Sequence, residues 1–138
     1  GLAMHGTRQG DAFIWTEVDS RASVVLRGIW GSSASDVWAV GDRGTIRRFG
    51  PKATEWEIIE SPTTETLHAV WGTAADDVWA VGESGTILHW DGASWTTSVA
   101  AFSVNPKRPH LYGIWGSGPT DVWIVGEGIA LHHTGGTK

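Results

Sequence analysis

Three residues of different chemistry occupy the same position of a repeated segment. Arg27, His68 and Tyr112 each follow a leucine and precede a small residue, a β-branched residue, tryptophan and glycine. A guanidinium, an imidazole and a phenol can bind anions, exchange protons or donate hydrogen bonds. Because these positions vary while their neighbours repeat, we predict that they are ligand-binding residues lining a central channel. The alternative is that they are packed or solvated side chains without a ligand.

More polar residues fall in short turns and in one long connection, which we predict to share one face. The connection 103–110 is an insertion, because the preceding tryptophan lies 16 residues before the next leucine (111 − 95), against 11 in the repeat before it (67 − 56). Long loops on a rigid scaffold often carry binding residues, although a tolerated insertion is the alternative. The candidate ligand-binding residues of this face are Asp42, Arg43, Glu83, Lys107, Arg108, His110 and Glu127.

Trp90 is the candidate for carbohydrate binding, because an exposed indole can stack on a sugar ring. The alternative for Trp90 is packing inside the protein. Asp36, Asp77 and Asp121 recur ahead of the second strand of each repeat, where aspartate commonly hydrogen-bonds the backbone of a turn. We predict that role rather than acid–base catalysis, which needs two carboxyls within about 5–10 Å of each other.

No metal-binding motif is present, and we expect neither a metal nor a cofactor. His132 and His133 are adjacent, so in a strand their rings point to opposite faces. Cysteine is absent, which excludes disulfides, thiolate metal sites and thiol nucleophiles. The net charge of −5 is small and mixed in sign along the 138 residues, which argues against a nucleic-acid partner. No apolar run approaches the roughly 18 residues of a membrane-spanning helix, so no membrane association is expected.

A threefold internal repeat supplies the elements that must position these residues. The segment Leu67–Gly72, followed by Asp77–Gly82, has a close counterpart on either side of it. The leading leucines are 41 residues apart (67 − 26) and then 44 apart (111 − 67). A repeat of this length matches one four-stranded propeller blade. The 10 tryptophans and 19 glycines are typical of all-β repeat proteins.

Turn residues divide each repeat into four short strands rich in β-branched and aromatic residues. We predict a type I turn at Gly82–Gly85 with Gly85 in the left-handed conformation, and we expect the tryptophans of the first two strands to pack between blades. The fold class is therefore all-β, a β-propeller with three four-stranded blades of about 41–44 residues each. In the second repeat the predicted strands are 67–72, 78–81, 86–90 and 95–99.

The order of these motifs resembles a bacterial group of tryptophan-rich propeller repeats described as BNR-like or Asp-box-like. Their units read Leu-x-x-Ile/Val-Trp-Gly, then Asp-Val-Trp-Ala-Val-Gly, then Gly-Thr-Ile, and the likeness extends over residues 13–134. The third copy departs from the pattern, because Glu127-Gly128-Ile129 replaces the second turn glycine and its hairpin must be built differently. The resemblance implies the propeller fold and an extracellular or cell-envelope location.

The two ends of the chain are complementary. Trp15 lies 11 residues before Leu26 (26 − 15), which makes 13–18 a fourth strand without three strands ahead of it. The third repeat has three predicted strands and no fourth. Three blades are too few for a ring, since propellers typically have 4–8. We therefore predict strand exchange in a homodimer that closes a six-bladed ring, with the N-terminal strand of each chain completing the last blade of the other; the alternative is a fragment of a longer propeller.

The predicted organisation is one propeller unit over residues 11–138, after a tail or expression remnant at 1–10. Within the unit, the exchanged outer strand and its connection occupy 11–25. The blades follow at 26–66, 67–110 and 111–138, and the last of them lacks its own outer strand.

Two classes of function follow from this sequence. We predict a non-enzymatic binding or scaffolding module that holds a glycan or a protein at the loop face and the channel mouth. The alternatives are a sialidase-like hydrolase or lyase, which would need an arginine cluster around the single tyrosine, Tyr112, and a purely structural ring-forming module. Propellers support many unrelated activities, so the fold does not decide between them.

Overall fold

The computed structural model describes residues 1–100 and 107–135, in which strands are joined by turns and loops. Four antiparallel sheets follow one another along the chain. We name them the arm (β1 and β2), sheet 1 (β3 to β6), sheet 2 (β7 to β10) and sheet 3 (β11 to β13). The strands are β1 (Leu2–Gln9), β2 (Ala12–Asp19), β3 (Leu26–Ser33), β4 (Asp36–Gly41), β5 (Ile46–Phe49), β6 (Glu57–Ile59), β7 (Leu67–Ala74), β8 (Asp77–Gly82), β9 (Ile87–Trp90), β10 (Trp95–Thr97), β11 (Leu111–Gly118), β12 (Asp121–Gly126) and β13 (Ile129–His133).

The first two strands of sheets 1, 2 and 3 are paired in the same way. Each pair places two tryptophans opposite each other and has register shifts at the same two places, near its leucine and near the glycine that follows the tryptophan of its first strand. Such bulges increase the local twist of a strand pair. Identical pairing therefore gives the three sheets the same shape, as the repeated sequence predicts. The opposed pairs are Trp30 with Trp38, Trp71 with Trp79, and Trp115 with Trp123.

The first strands of sheets 1, 2 and 3, which we call the inner strands, are β3, β7 and β11. Neighbouring sheets are joined by a tryptophan of one inner strand that packs against a glycine of the next inner strand. A β-carbon on Gly72 would lie 2.9 Å from Cη2 of Trp30, and a β-carbon on Gly116 would lie 2.6 Å from Cη2 of Trp71. Both distances are below normal van der Waals contact, so the indole occupies the space that a side chain would need. The prediction that these tryptophans pack between sheets is confirmed for Trp30 and Trp71.

A cluster of indoles forms the core between sheets 1 and 2. Trp38 is fully buried, and its ring centroid lies 4.9 Å from that of Trp90 and 5.3 Å from that of Trp95. Tilted and edge-on geometries of this kind are favoured by the ring quadrupoles. A second, smaller apolar cluster between sheets 2 and 3 is centred on Ile87, Leu111 and other buried aliphatic residues.

The N-terminal segment has more structure than the sequence predicts. Residues 2–9, expected to be a tail, form β1, which pairs along its whole length with β2 from Leu2 opposite Asp19 to Gln9 opposite Ala12. The predicted outer strand 13–18 lies within β2, but its partner here is β1. The residues of β1 do not alternate between polar and apolar, so the strand depends on pairing. The sequence signal that could have predicted this hairpin is the two-residue Gly10–Asp11 turn, in which Gly10 has a positive φ of 61°.

The arm is attached to sheet 1 at its base. Both Nε and Nη2 of Arg47 donate to the carbonyl oxygen of Arg21, at 3.2 and 2.9 Å. The Arg21 guanidinium lies 3.2 Å from the carboxylate of Glu55. By contrast, the large apolar side chains of β2, among them Phe13 and Trp15, are exposed. The base of the arm is therefore fixed, while its apolar side chains remain in contact with solvent.

We predict that Gly72→Ala destabilises the protein, because the new methyl group meets Trp30 and lies 2.5 Å from the Asp77 carbonyl oxygen. Overpacking of this kind costs about 1–3 kcal/mol, measurable as a lower midpoint in urea unfolding. Gly118→Ala is the matched control, because no atom lies within 4 Å of its β-carbon position. Equal midpoints for the two variants would contradict the proposed packing.

Candidate functional site

Two tight turns, one in sheet 1 and one in sheet 2, place polar side chains at one end of the inner strands. In the second, the amide of Thr86 donates to the carbonyl of Glu83 at 3.0 Å. The central residues Ser84 and Gly85 have φ of 53° and 68°. The predicted left-handed conformation of Gly85 is confirmed. The predicted type I turn is wrong, because positive φ at both central residues is the property of type I′. The strong twist of the flanking strands favours that mirror-image turn.

The turn of sheet 1 repeats this geometry with a charged residue in the left-handed position. Arg43 has a φ of 56° and Gly44 a φ of 68°. Left-handed backbone costs a residue with a β-carbon roughly 1–2 kcal/mol. Gly44 is needed for a second reason, since a β-carbon there would lie 1.9 Å from the carbonyl oxygen of Thr63. The turn thus holds the exposed Arg43 side chain beside the end of the inner strand.

Recurring backbone bonds hold these turns beside the start of each inner strand. The amide of Asp42 donates to Val25 at 3.0 Å, and that of Glu83 donates to Thr66 at 2.9 Å. In sheet 3 the amide of Glu127 donates to His110 at 2.8 Å. Each acceptor precedes the leucine that opens the inner strand. The first turn residue is consequently brought next to the variable position that follows this leucine.

In sheet 1 this juxtaposition forms an ion pair between Arg27 and Asp42. Nε of Arg27 donates a short hydrogen bond to Oδ1 of Asp42. That hydrogen bond lowers the pKa of the Asp42 carboxyl and raises the pKa of the Arg27 guanidinium. The electrostatic influence extends to the next sheet, where His68 also lowers the Asp42 pKa and Glu83 also raises that of Arg27.

In sheets 2 and 3 the same position carries two rings that touch each other. Nε2 of His68 lies 3.6 Å from Oε1 of Glu83, and the ring of His68 lies 5.0 Å from the ring of Tyr112. The ring of His110 is 6.3 Å from Tyr112 on another side. Nδ1 of His110 accepts a 3.2 Å hydrogen bond from the Ser84 amide.

These contacts join side chains of three sheets into one continuous surface, which we call the rim cluster. Arg27, His68 and Tyr112, separated by 41 and 44 residues along the chain (68 − 27 and 112 − 68), are brought together in it. Of the further residues proposed from the sequence, the turn residues of sheets 1 and 2 and His110 belong to it as well. The rim cluster consists of Arg27, Asp42, Arg43, His68, Glu83, His110 and Tyr112.

Four predicted site residues lie apart from the rim cluster or are only adjacent to it. Lys107 and Arg108 are exposed in the connection that leads into β11, and Glu127 is exposed in the turn of sheet 3. The preceding part of the long connection, 101–106, lies outside the described residues. Trp90 is only 7% exposed, because its ring packs on Trp38 in the core. The expectation of an exposed stacking face at Trp90 is therefore wrong.

A second set of polar contacts, not foreseen from the sequence, recurs in sheets 1, 2 and 3. In sheet 2 the Asp77 carboxylate accepts hydrogen bonds from the hydroxyl of Thr73 and from Nε1 of Trp79, and lies 2.7 Å from Nε2 of His89. The aspartate thus connects the first, second and third strands of its sheet instead of only capping a turn. The corresponding sets are Ser32, Asp36 and Arg48 in sheet 1 and Ser117, Asp121 and His132 in sheet 3.

These serine, aspartate and histidine sets differ from a catalytic triad in their order. A triad has histidine in the centre, where it accepts the proton of the nucleophile. Here the hydroxyl of Ser117 donates directly to Asp121, and His132 bonds to the same carboxylate. The hydroxyl is therefore not activated for attack. The basic group also packs on a tryptophan, as His132 does on Trp123 at 3.9 Å between ring centroids. A structural role explains both contacts.

The surroundings of Asp77 favour its charged form. Burial raises the pKa of this carboxyl, but hydrogen bonds from Thr73 and His89 and the charge of His89 outweigh burial, so the pKa lies below its ordinary value. A carboxyl whose folded-state pKa is lowered stabilises the fold above the unfolded-state pKa of about 4. That contribution is lost as the pH falls through the folded-state pKa.

The described residues contain no group of three or more histidine, aspartate or glutamate side chains arranged to hold a metal ion. Over 1–100 and 107–135 the chain also has no helical segment whose length and hydropathy would let it traverse a lipid bilayer.

Antiparallel sheets that recur along the chain, two of four strands and one of three, are typical of the β-propeller class, and solved structures agree. YCF48 bound to D1 peptide superimposes with a TM-score of 0.75 at 20% sequence identity, over 95% of this chain and 44% of that one. YCF48 from Cyanidioschyzon merolae gives a TM-score of 0.74 at 17% identity, over 94% of this chain and 44% of that one. This similarity shows the fold, and the present chain spans less than half of either YCF48 chain.

Neither a protein-family model nor a curated protein matches the sequence. The resemblance to BNR-like repeats therefore stays a prediction.

We predict that Asp77→Asn lowers the free energy of unfolding by about 1–3 kcal/mol at neutral pH, because a hydrogen-bonded charged acceptor is lost from a partly buried network. Urea unfolding measures this difference, with the exposed neighbour Asp76→Asn as the control. The difference from wild type should begin to shrink below about pH 4, where the carboxyl of the unfolded chain takes up a proton, and should be lost as the pH falls through the lower folded-state pKa. A pH-independent difference would show that the charge of Asp77 does not matter.

Proposed function

We propose that this chain is a non-enzymatic, protein-binding propeller module that holds an extended peptide segment at the rim cluster. The observation that carries the proposal is the convergence of Arg27, His68 and Tyr112, one from each sheet, into one polar surface. The solved structure of YCF48 with a D1 peptide supports it, since that protein has the same fold and binds a peptide.

The side chains of the rim cluster suit peptide recognition. Tyr112 is 52% exposed and presents an apolar ring with a hydroxyl, the kind of group that dominates binding energy at protein interfaces together with arginine. Arg43 lies beside Asp42, so both signs of charge are available within a short distance. We therefore expect a peptide with mixed polar and charged side chains as the ligand.

His68 adds a polar group that is not satisfied by the described residues. Nε2 of His68 is buried and has no hydrogen-bond partner among the described residues. The Glu83 carboxylate, 3.6 Å away, is slightly too distant for a good hydrogen bond. An unsatisfied buried polar group carries a free-energy cost. A bound peptide that displaces Glu83 toward His68 by less than an ångström would remove this cost.

The hydrolase alternative receives less support from the same surface. A sialidase-like site needs several arginines around a tyrosine, whereas the rings next to Tyr112 are His68 and His110. Arg27 is engaged by Asp42. Binding without chemistry is the function that these contacts favour.

To test the peptide proposal, random peptides displayed on phage would be selected on the purified protein, and the recovered peptides measured by fluorescence anisotropy. We predict that Tyr112→Ala and Arg43→Asn each weaken binding by about tenfold or more, the effect of losing an interface hot spot. Asparagine is chosen at position 43 because it tolerates left-handed backbone.

Lys52→Ala is the control, because Lys52 is exposed in the β5–β6 connection at the opposite end of β5 from Arg43. Unchanged affinity in all three variants would refute the location of the site. Enrichment of no peptide together with binding to a glycan array would replace the protein ligand by a carbohydrate.

We also propose that two copies of the chain close a six-sheet ring. Trp115 is 61% exposed, although its counterparts Trp30 and Trp71 are packed against a glycine of the following sheet. At the other end of the stack, the three atoms nearest to a β-carbon position on Gly31 belong to Ser33, Asp36 and Val37 of its own sheet, whereas an indole is among the three nearest at Gly72 and Gly116. Trp115 of one copy and Gly31 of the other therefore fit the contact already seen twice.

The length of the YCF48 structures is compatible with two copies in a ring. Each YCF48 chain is covered to 44% by this chain, so two copies correspond to about 88% (2 × 44%) of that length. The two sheet faces that would meet are apolar, with Ile29 exposed on sheet 1 and Val125 on sheet 3. Burying such faces against each other is favourable.

We predict a light-scattering mass of twice 14.8 kDa for the wild type, and of 14.8 kDa for Trp115→Ala. The variant should fold, because the residue is exposed within the single chain. Gly118→Ala, in the same strand with open space around it, should stay dimeric. A monomeric wild type, or a Trp115→Ala variant that remains dimeric, would exclude this contact.

A further inference from the structure

A cavity lies between sheets 2 and 3 at their outer side. Its volume is about 300 Å³. Its walls include the indole of Trp79 from β8, the apolar side chains of Ile87 and Val122, and the two histidines that end β13. The lining is mostly apolar, and the cavity opens beside the edge of β13 that pairs with no described strand.

The equivalent position between sheets 1 and 2 is filled. There Trp95, the first residue of β10, pairs with Trp90 of β9 and packs edge-on against Trp38 of sheet 1 at 5.3 Å between ring centroids. At the interface between sheets 2 and 3, Trp79 has the position that Trp38 has between sheets 1 and 2. By the strand registers, His133 has the position of Trp90. The cavity therefore lies where a tryptophan from a fourth strand of sheet 3 would pack.

Trp15 has the properties of the missing side chain. It precedes the leucine of the following inner strand by 11 residues (26 − 15), as Trp56 does (67 − 56). Yet Trp15 is 61% exposed, whereas Trp56 and Trp95 are each 6% exposed. Among the described strands, β2 pairs only with β1 on one edge, so its other edge is available to a partner strand.

We propose that β2 of a second copy adds to the free edge of β13 and inserts its Trp15 into this cavity. The registers of the other outer strands fix the alignment. Trp15 lies opposite His133, Thr16 opposite His132, and Glu17 opposite Leu131. Because β1 stays paired with β2, sheet 3 then has five strands. The inference rests on the two-copy ring proposed above and identifies the segment that locks it.

The occupant comes from a second copy because the arm is attached at the far end of the stack. Its base is held on sheet 1 by the contacts of Arg21 with Glu55 and Arg47, and sheet 2 lies between sheet 1 and the cavity. Both β2 and β13 present unpaired backbone groups, which favour strand addition. Strand pairing and burial of the indole act together at the same place.

The absence of cysteine permits a direct test of the register. A tagged chain with Thr16→Cys would be co-expressed with an untagged chain carrying His132→Cys, and the purified protein oxidised. The expected product is a mixed disulfide of the two chains on a non-reducing gel. Thr7→Cys in place of Thr16→Cys is the control, because Thr7 lies in β1, one strand further from β13, and should not cross-link.

A second variant tests the cavity itself. Trp15→Ala should fold, since the side chain is exposed in the single chain, and light scattering should show at least a tenfold weaker dimer. Met4→Ala is the control, as an exposed residue of β1 on the same arm. If the protein is a dimer that forms no mixed disulfide and is insensitive to Trp15→Ala, the proposed exchange of β2 is wrong but the six-sheet ring still holds. A monomeric wild type would overturn both, whereas peptide affinity reports separately on the rim cluster.

Discussion

The contact between an inner-strand tryptophan and a glycine of the next sheet sets the geometry of the whole molecule. An indole fits over Gly72 and Gly116 only because no β-carbon is present, and this allows neighbouring inner strands to approach closely. The rim cluster depends on that approach, since the rings of His68 and Tyr112 belong to different sheets and touch at 5.0 Å. The proposed six-sheet ring repeats the same contact between the free faces of sheets 1 and 3.

Within each sheet, rigidity comes from a different interaction. The aspartate at the start of the second strand binds a hydroxyl of the first strand and a basic side chain of the third, as Asp36 does with Ser32 and Arg48. These bonds lie away from the rim cluster. The sheet can therefore remain the same in each repeat, while the residues that follow the leading leucine differ. Such a division between constant framework and variable rim is well suited to binding.

The arm is the part of the molecule with the least internal stabilisation. Its two strands pair with each other, yet its large apolar side chains find no core within the part of the chain that the structure describes. Exposed apolar side chains on an open edge strand promote association. The cavity beside β13 has the opposite character, an apolar space that no side chain of residues 1–100 or 107–135 fills. Each feature is unfavourable alone, and strand exchange would remove both.

The sequence by itself determines the all-β class, the strand pattern of each repeat and the equivalent positions of Arg27, His68 and Tyr112 in their sheets. These follow from a period of about 41–44 residues, because equivalent residues in stacked repeats occupy equivalent places. The tertiary structure alone decided which side chains meet. Trp90 is buried because three indoles share one interface, Asp77 reaches His89 because antiparallel pairing aligns their strands, and β1 forms because β2 offers an edge. Contacts of this kind depend on distances between strands, which a one-dimensional pattern does not contain.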